Sequence, residues 1–147
     1  DVDASQDAWH NRGMTSQHYQ DTYFNIVTET WPADPSFFVT EKIFKPIVNL
    51  QPFIVCGLPG NLHYLKQKGY EIFDEWFVPD YDNVLDQGKR MYYLTREITR
   101  IANMSHDELH KKYQLTWEKC LHNRKKFFST NHAEEFIDLV EAIGEIK

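Results

Sequence analysis

Three observations predict an α/β domain, with a Rossmann-like parallel sheet flanked by helices and a largely helical C-terminal part. The first is a series of short β-rich runs, Phe24–Thr28, Phe53–Cys56 and Tyr70–Phe73, separated by helix-length stretches. Strands and helices alternating at this spacing build right-handed βαβ units on a parallel sheet. The second is the change of character after Asp82, where apolar residues begin to recur at helical spacing. The third is composition: 147 residues that are 41% hydrophobic and 15% aromatic, enough to pack the core of one domain.

Each element has its own local signal. Residues 1–23 are polar and aperiodic, an irregular lead-in with a short helix near Thr15–Asp21. The domain proper is expected over 24–147, with its C-terminal helices beginning at about 83. Phe24-Asn25-Ile26-Val27-Thr28 reads as the first strand. Pro32 and Pro35 bar a helix after it, so Glu29–Pro35 leaves the strand's carboxyl end as a loop. Thr40 is a candidate N-cap for a helix whose apolar face carries Ile43, Phe44, Ile47, Val48 and Leu50, and Pro46 should kink or shorten that helix. Phe53–Cys56 is a buried strand bounded by Pro52 and Gly57. Pro59 suits the first turn of the next helix, which carries Leu62 and Leu65, and Gly69 closes it as a C′ glycine. Tyr70–Phe73 is the third strand.

Beyond Asp82, Met91, Leu94, Ile98 and Ile101 mark a helix. Ser105 and Glu108 form a capping box that opens another, running to about Phe128. Asn131 and Glu134 cap a terminal helix with Phe136, Leu139, Val140 and Ile143. Tyr92, Tyr93, Tyr113, Trp117, Phe127 and Phe128 read as core. Trp31 and Trp76 fall in expected loops near the strand ends, where one could stack on a ligand.

Charge and motifs exclude several functions. A formal net charge of −6 offers no basic field for nucleic acid, and Arg124-Lys125-Lys126 reads as a solvated helix end. Cys56 and Cys120 form no CxxC and are read as reduced thiols. Asn103-Met104-Ser105 is a glycosylation sequon only in a secreted chain. No apolar run approaches the ~18–20 residues of a membrane span, and no signal peptide is visible. A cytoplasmic location is therefore the expectation. His106 and His110 share a helical face, but Asp107 stands where the HExxH pattern needs Glu, and no third ligand is spaced for a metal. His63 should point outward, and His10, His18, His122 and His132 read as surface residues. No GxSxG elbow, Walker loop or GxGxxG fingerprint is present.

In open α/β sheets, ligands bind beyond the carboxyl ends of the strands. Three loops meet there: Glu29–Val39, Gly57–Gly60 and Asp74–Asp82. Thr40, Glu41 and Lys42 begin the helix facing this cleft. Backbone amides 41–43 and the Lys42 ammonium could hold a diphosphate, and Glu41 could accept hydrogen bonds from a ribose diol. Gly57 and Gly60 would let backbone approach the ligand closely. The plainer alternative is that Thr40 caps, Glu41 complements the helix dipole and Lys42 is solvated. The Tyr81-Asp82 loop could border the sugar or the acceptor, or it is a turn in which Asp82 caps the following helix. Arg90 or Lys89 could point at the cleft, but the surface is the expected place for both.

Val39-Thr40-Glu41-Lys42, the apolar helix, Pro52-Phe53-Ile54-Val55-Cys56-Gly57, Leu62 and Gly69-Tyr70-Glu71-Ile72-Phe73 resemble the C-terminal domain of GT-B glycosyltransferases, above all the fucosyltransferase-like group. The likeness covers roughly residues 24–86. That family's pattern is a strand ending in Glu-Asn, a loop, Tyr-Val-Thr-Glu-Lys, a helix, then Pro-Val-Val-x-Gly. The resemblance implies that Glu41 takes the ribose and Lys42 the phosphates of a nucleotide-diphospho-sugar, GDP- or UDP-linked. Glu29 would line the same cleft. Phe38 stands where the family has Tyr, and Thr30 where it has Asn, so base and sugar stay open. The donor-site residues are then Glu29, Thr30, Phe38, Thr40, Glu41, Lys42, Gly57 and Gly60.

The resemblance also implies an enzyme that needs no metal or other cofactor. Its acceptor, a glycan or other molecule, and its catalytic base belong to an N-terminal domain. The chain opens on Asp1 rather than Met, and that domain is expected outside it. The rival reading is a non-catalytic α/β interaction or regulatory module without a nucleotide site.

Overall fold

The computed structural model describes residues 17–29 and 40–130. Most of the lead-in, the loop carrying Thr30, Trp31 and Phe38, and the terminal helix expected after Asn131 lie outside the described residues. The first element is a single helical turn, α1 (Gln17–Gln20), inside the expected Thr15–Asp21.

The chain is α/β, and among the described residues the sheet has two parallel strands. Strand β1 (Asn25–Thr28) pairs with β2 (Phe53–Cys56) in register from Asn25↔Phe53 to Thr28↔Cys56. Parallel strands need a crossover. Its described part runs through a 3-10 turn, Glu41–Ile43, and helix α2 (Phe44–Val48). Pro46 lies within the five residues of α2, short as expected. A Schellman closure ends it: the Gln51 amide donates to the Pro46 carbonyl at 2.9 Å and the Leu50 amide to that of Ile47 at 3.2 Å. Leu50 holds the left-handed position at φ 58°, where glycine is usual. Ile43, Ile47 and Val48 pack with Phe53, Ile54 and Val55 in the core.

Helix α3 (Asn61–Gln67) follows, with Gly60 at its N-cap and φ 93°. It starts after Pro59, which therefore precedes the first turn instead of occupying it. Gly69, at φ 83°, closes it as expected: its amide donates to the Lys66 carbonyl at 3.0 Å, and that of Tyr70 to Leu65 at 2.9 Å.

The expected third strand does not form. Tyr70–Phe73 belongs to no sheet, because side chains take the hydrogen bonds a neighbouring strand would make. The Glu71 amide donates to Asn123 Oδ1 at 2.7 Å, and Asn123 Nδ2 donates to the Glu71 carbonyl at 2.9 Å. Lys119 Nζ donates to the Ile72 carbonyl at 3.0 Å. On β2 the same substitution occurs, where the Val55 amide donates to the Tyr81 hydroxyl at 3.2 Å. Burial pushes that phenol's pKa above its ordinary value.

The C-terminal part is helical, as the sequence predicts. Helix α4 (Gln87–Ala102) is capped by Asp86, whose Oδ1 accepts the Lys89 amide at 2.8 Å. Helix α5 (His106–Ser129) opens with both bonds of the Ser105–Glu108 capping box.

The aromatic residues divide by helical phase. The buried positions of α4 are Arg90, Leu94, Glu97 and Ile101, and those of α5 are Thr116, Cys120, Asn123 and Phe127. Tyr92 and Phe128 fall off these stripes and are 65% and 61% exposed, so the expectation that they are core is overturned. Tyr93 is exposed too, while Tyr113 and Trp117 are half-buried and Phe127 is core. Trp76 is fully buried, so it offers no free face on which a ligand could stack. It stacks on Phe24 with ring centroids 5.0 Å apart and donates from Nε1 to Thr116 Oγ1 at 3.1 Å.

Candidate functional site

The carboxyl ends of β1 and β2 gather Glu29, Thr40, Lys42 and Gly57. The Glu29 amide donates to the Cys56 carbonyl at 3.0 Å, extending the strand pairing by one residue. This turns a buried carboxylate toward Thr40. Thr40 gives Glu29 both its donors: its amide to Oε1 at 3.2 Å and its hydroxyl to Oε2 at 2.5 Å. The same hydroxyl accepts the Lys42 amide at 3.3 Å, and the Thr40 carbonyl accepts that of Ile43 at 3.3 Å. Thr40 thus caps the turn. The Lys42 and Ile43 amides, expected to face a diphosphate, are satisfied inside it. Lys42 is partly exposed. Glu41 lies in the turn beside it; Thr30 and Phe38 are outside the described residues.

Gly57 and Gly60 serve the protein's own packing. A Cβ at Gly57 would stand 2.5 Å from Asn61 Nδ2 and 3.1 Å from Glu29 Cβ, so any other residue would have to push the Asn61 amide aside. Gly60 needs its left-handed φ to turn into α3, and its amide donates to the Asp82 carbonyl at 2.9 Å. Asn61, buried in the first turn, donates to the Leu58 carbonyl at 2.8 Å and leaves its Oδ1 without a partner.

Two charged residues take roles here that the sequence reading did not give them. Asp82 Oδ2 accepts the Leu62 and His63 amides at 3.0 Å each, capping α3 from twenty residues downstream. It lies in the 3-10 turn Pro79–Asn83 and does not cap α4, which is the task of Asp86. The available signal was a helix start at Gly60, a residue with no side chain to cap. Arg90 is only 1% exposed, contrary to the surface position expected. Its Nε donates to the Gly57 carbonyl at 3.1 Å and its Nη1 to that of Val84 at 2.8 Å. Its place four residues before Leu94 on the apolar stripe was the signal. Burial lowers the guanidinium pKa, while Cys56, Asp82 and Asp86 act the other way.

The other features lie apart from this end. His63 is exposed, as expected, and pairs with Gln67 at 2.9 Å. His106 and His110 do share a face, where both ring nitrogens meet the Tyr23 hydroxyl, at 3.2 and 3.1 Å. Among the described residues no group of three or more His, Cys, Asp or Glu is placed to hold a metal. No described helix is long and apolar enough to cross a membrane. A cavity of about 350 Å³ opens at the other end of β1, lined by Tyr23, Phe24, Ile26, Ile98, Ile101 and Leu109 among others. No family model, curated protein or solved structure matches the chain.

Proposed function

We propose that the chain is the donor-binding half of a GT-B glycosyltransferase, holding a nucleotide-diphospho-sugar beyond the carboxyl ends of β1 and β2. What supports the reading is the gathering of Glu29, Thr40, Lys42 and Gly57 at that edge, the position where open α/β sheets bind ligands. In this reading the Lys42 ammonium carries the diphosphate charge, including the charge that grows as the sugar departs. Glu41 accepts the ribose hydroxyls. Glu29 is the inner support that fixes Thr40, and through it the turn bearing Glu41 and Lys42. The acceptor and the catalytic base come from another domain.

One observation favours the rival reading, an α/β interaction module without a nucleotide site. The Lys42 and Ile43 amides, and those opening α3, already have internal acceptors in Thr40 and Asp82. A phosphate would therefore rest on side-chain charge, not on a backbone cradle.

A thermal-shift panel of GDP, UDP, ADP, CMP and TDP on wild type and Lys42→Ala separates the two. Ligand at ~100 times its Kd stabilises by ~2.7 kcal/mol, raising Tm by several degrees. A shift with one nucleotide, weakened ~10- to 100-fold in the variant, is the transferase outcome. No shift with any nucleotide favours the module.

A further inference from the structure

We infer that Asp82 and Arg90 are positioning residues that clamp the Gly57–Gly60 loop from its two ends; this rests on the nucleotide reading above. At the first end, Arg90 Nε holds the Gly57 carbonyl at 3.1 Å. At the second, Asp82 takes the Gly60 amide on its own carbonyl at 2.9 Å, and the Leu62 and His63 amides on its carboxylate at 3.0 Å. Both clamps come from one short stretch, 82–90. That stretch is itself braced, since Arg90 Nη1 donates to the Val84 carbonyl at 2.8 Å and the Val84 amide to Tyr81 at 3.1 Å.

Charge is a costly way to hold a loop that merely needs covering. Both side chains are nearly out of solvent, Arg90 at 1% and Asp82 at 5% exposed. Apolar residues of similar volume would often cover such a place equally well. What the charged pair adds is direction, because each fixes named backbone atoms. The position is also held against a penalty: Asn61 Oδ1, buried beside the loop, goes without a partner. Gly57 lies against Glu29, where an added Cβ would be 3.1 Å from Glu29 Cβ. Moving the loop toward Glu29 would therefore press on the residue whose carboxylate sets Thr40 and the Lys42 turn. Neither Asp82 nor Arg90 needs to touch the ligand to control its affinity.

The test titrates GDP and UDP, well below Tm, into wild type, Lys42→Ala, Arg90→Met, Arg90→Lys, Asp82→Ala, Asp82→Asn and Ile101→Ala. Ile101 is a core residue at the far end of α4, so its variant controls for general destabilisation. Expected are losses of ~10-fold or more in Arg90→Met and Asp82→Ala. The conservative Arg90→Lys and Asp82→Asn should recover part of the affinity, and Ile101→Ala should bind within about twofold of wild type despite its lower Tm. If the Met and Ala variants do not fold, the Lys and Asn variants carry the test, with affinity loss at unchanged Ile101→Ala binding as the expected result. Wild-type affinity in the Arg90 and Asp82 variants, with Lys42→Ala impaired, overturns the clamp and leaves the nucleotide reading standing. An equal loss in Ile101→Ala also overturns it. No binding by wild type overturns both.

Discussion

Asn123 pairs with the backbone of Glu71 through both ends of its side-chain amide, at 2.7 and 2.9 Å, in the geometry one strand offers another. The amide carries one donor and one acceptor in the right order, and Asn123 is 1% exposed. Asn123→Leu removes both partners from a buried peptide unit and should cost ~2–4 kcal/mol. Asn123→Asp keeps the acceptor but sets a buried carboxylate oxygen against the Glu71 carbonyl, and should be no more stable than the Leu variant at neutral pH. Urea denaturation of the three proteins checks the order; a Leu variant as stable as wild type would show that Glu71 finds other partners.

Thr40 contributes to the Glu29 site through its hydroxyl, not its shape. Thr40→Val is nearly isosteric and keeps the backbone bond to Oε1, but it leaves Glu29 Oε2 and the Lys42 amide without the hydroxyl, for an expected loss of ~1–3 kcal/mol. Thr40→Ser keeps the hydroxyl and should lie within ~1 kcal/mol of wild type. Chemical denaturation curves of the pair give the comparison directly.

Glu97 predicts an acid dependence. Burial opposes its ionisation, but the Arg100 guanidinium and the Val78 amide outweigh this, and its pKa falls below the ordinary carboxylate value. A depressed folded pKa means stability that is full above the unfolded value and lost as pH falls through the folded one. Glu97→Gln should therefore be less stable than wild type at pH 7. It should lose less between about pH 5 and pH 3. Some acid slope remains, because Lys119 lowers the pKa of Asp74 as well. Parallel wild-type and Gln curves across that window would contradict the assignment.

Leu50 holds a left-handed backbone at φ 58° and packs against the core. A β-branched residue tolerates that conformation least. Leu50→Ile should cost ~1–2 kcal/mol more than the equally apolar Leu50→Met, measured by thermal or urea unfolding. Equal costs would mean that the closure of α2 relaxes around the substitution.

Capping and closure were the most legible features. Ser105 with Glu108, and Gly69, are local signals, and local signals decide helix ends. The strand at Tyr70–Phe73 was misread because β propensity records a fit to a half-buried surface, not who supplies the hydrogen bonds. Here Asn123 and Lys119 supply them, from about fifty residues away. Arg90 was misread for a related reason: its type argues for solvent, while its helical phase argues for the core, and the phase prevails where carbonyls wait for it. Of the candidate site, Glu29, Thr40, Lys42 and Gly57 could be grouped from the strand-end rule. Asp82 and Asn61 could not, since their roles arise from contacts that no spacing encodes.

The cap that Asp82 provides also bears on the order in which the chain folds. Seven residues behind a glycine N-cap, with no side chain there to close the first turn, are too few to persist as a helix in water. Gly69 closes the far end, but until the Pro79–Asn83 turn arrives nothing local caps the first turn of residues 61–67. A peptide spanning only 57–70 should give a coil spectrum, and helicity there should appear together with the docking of the downstream turn, as one cooperative step.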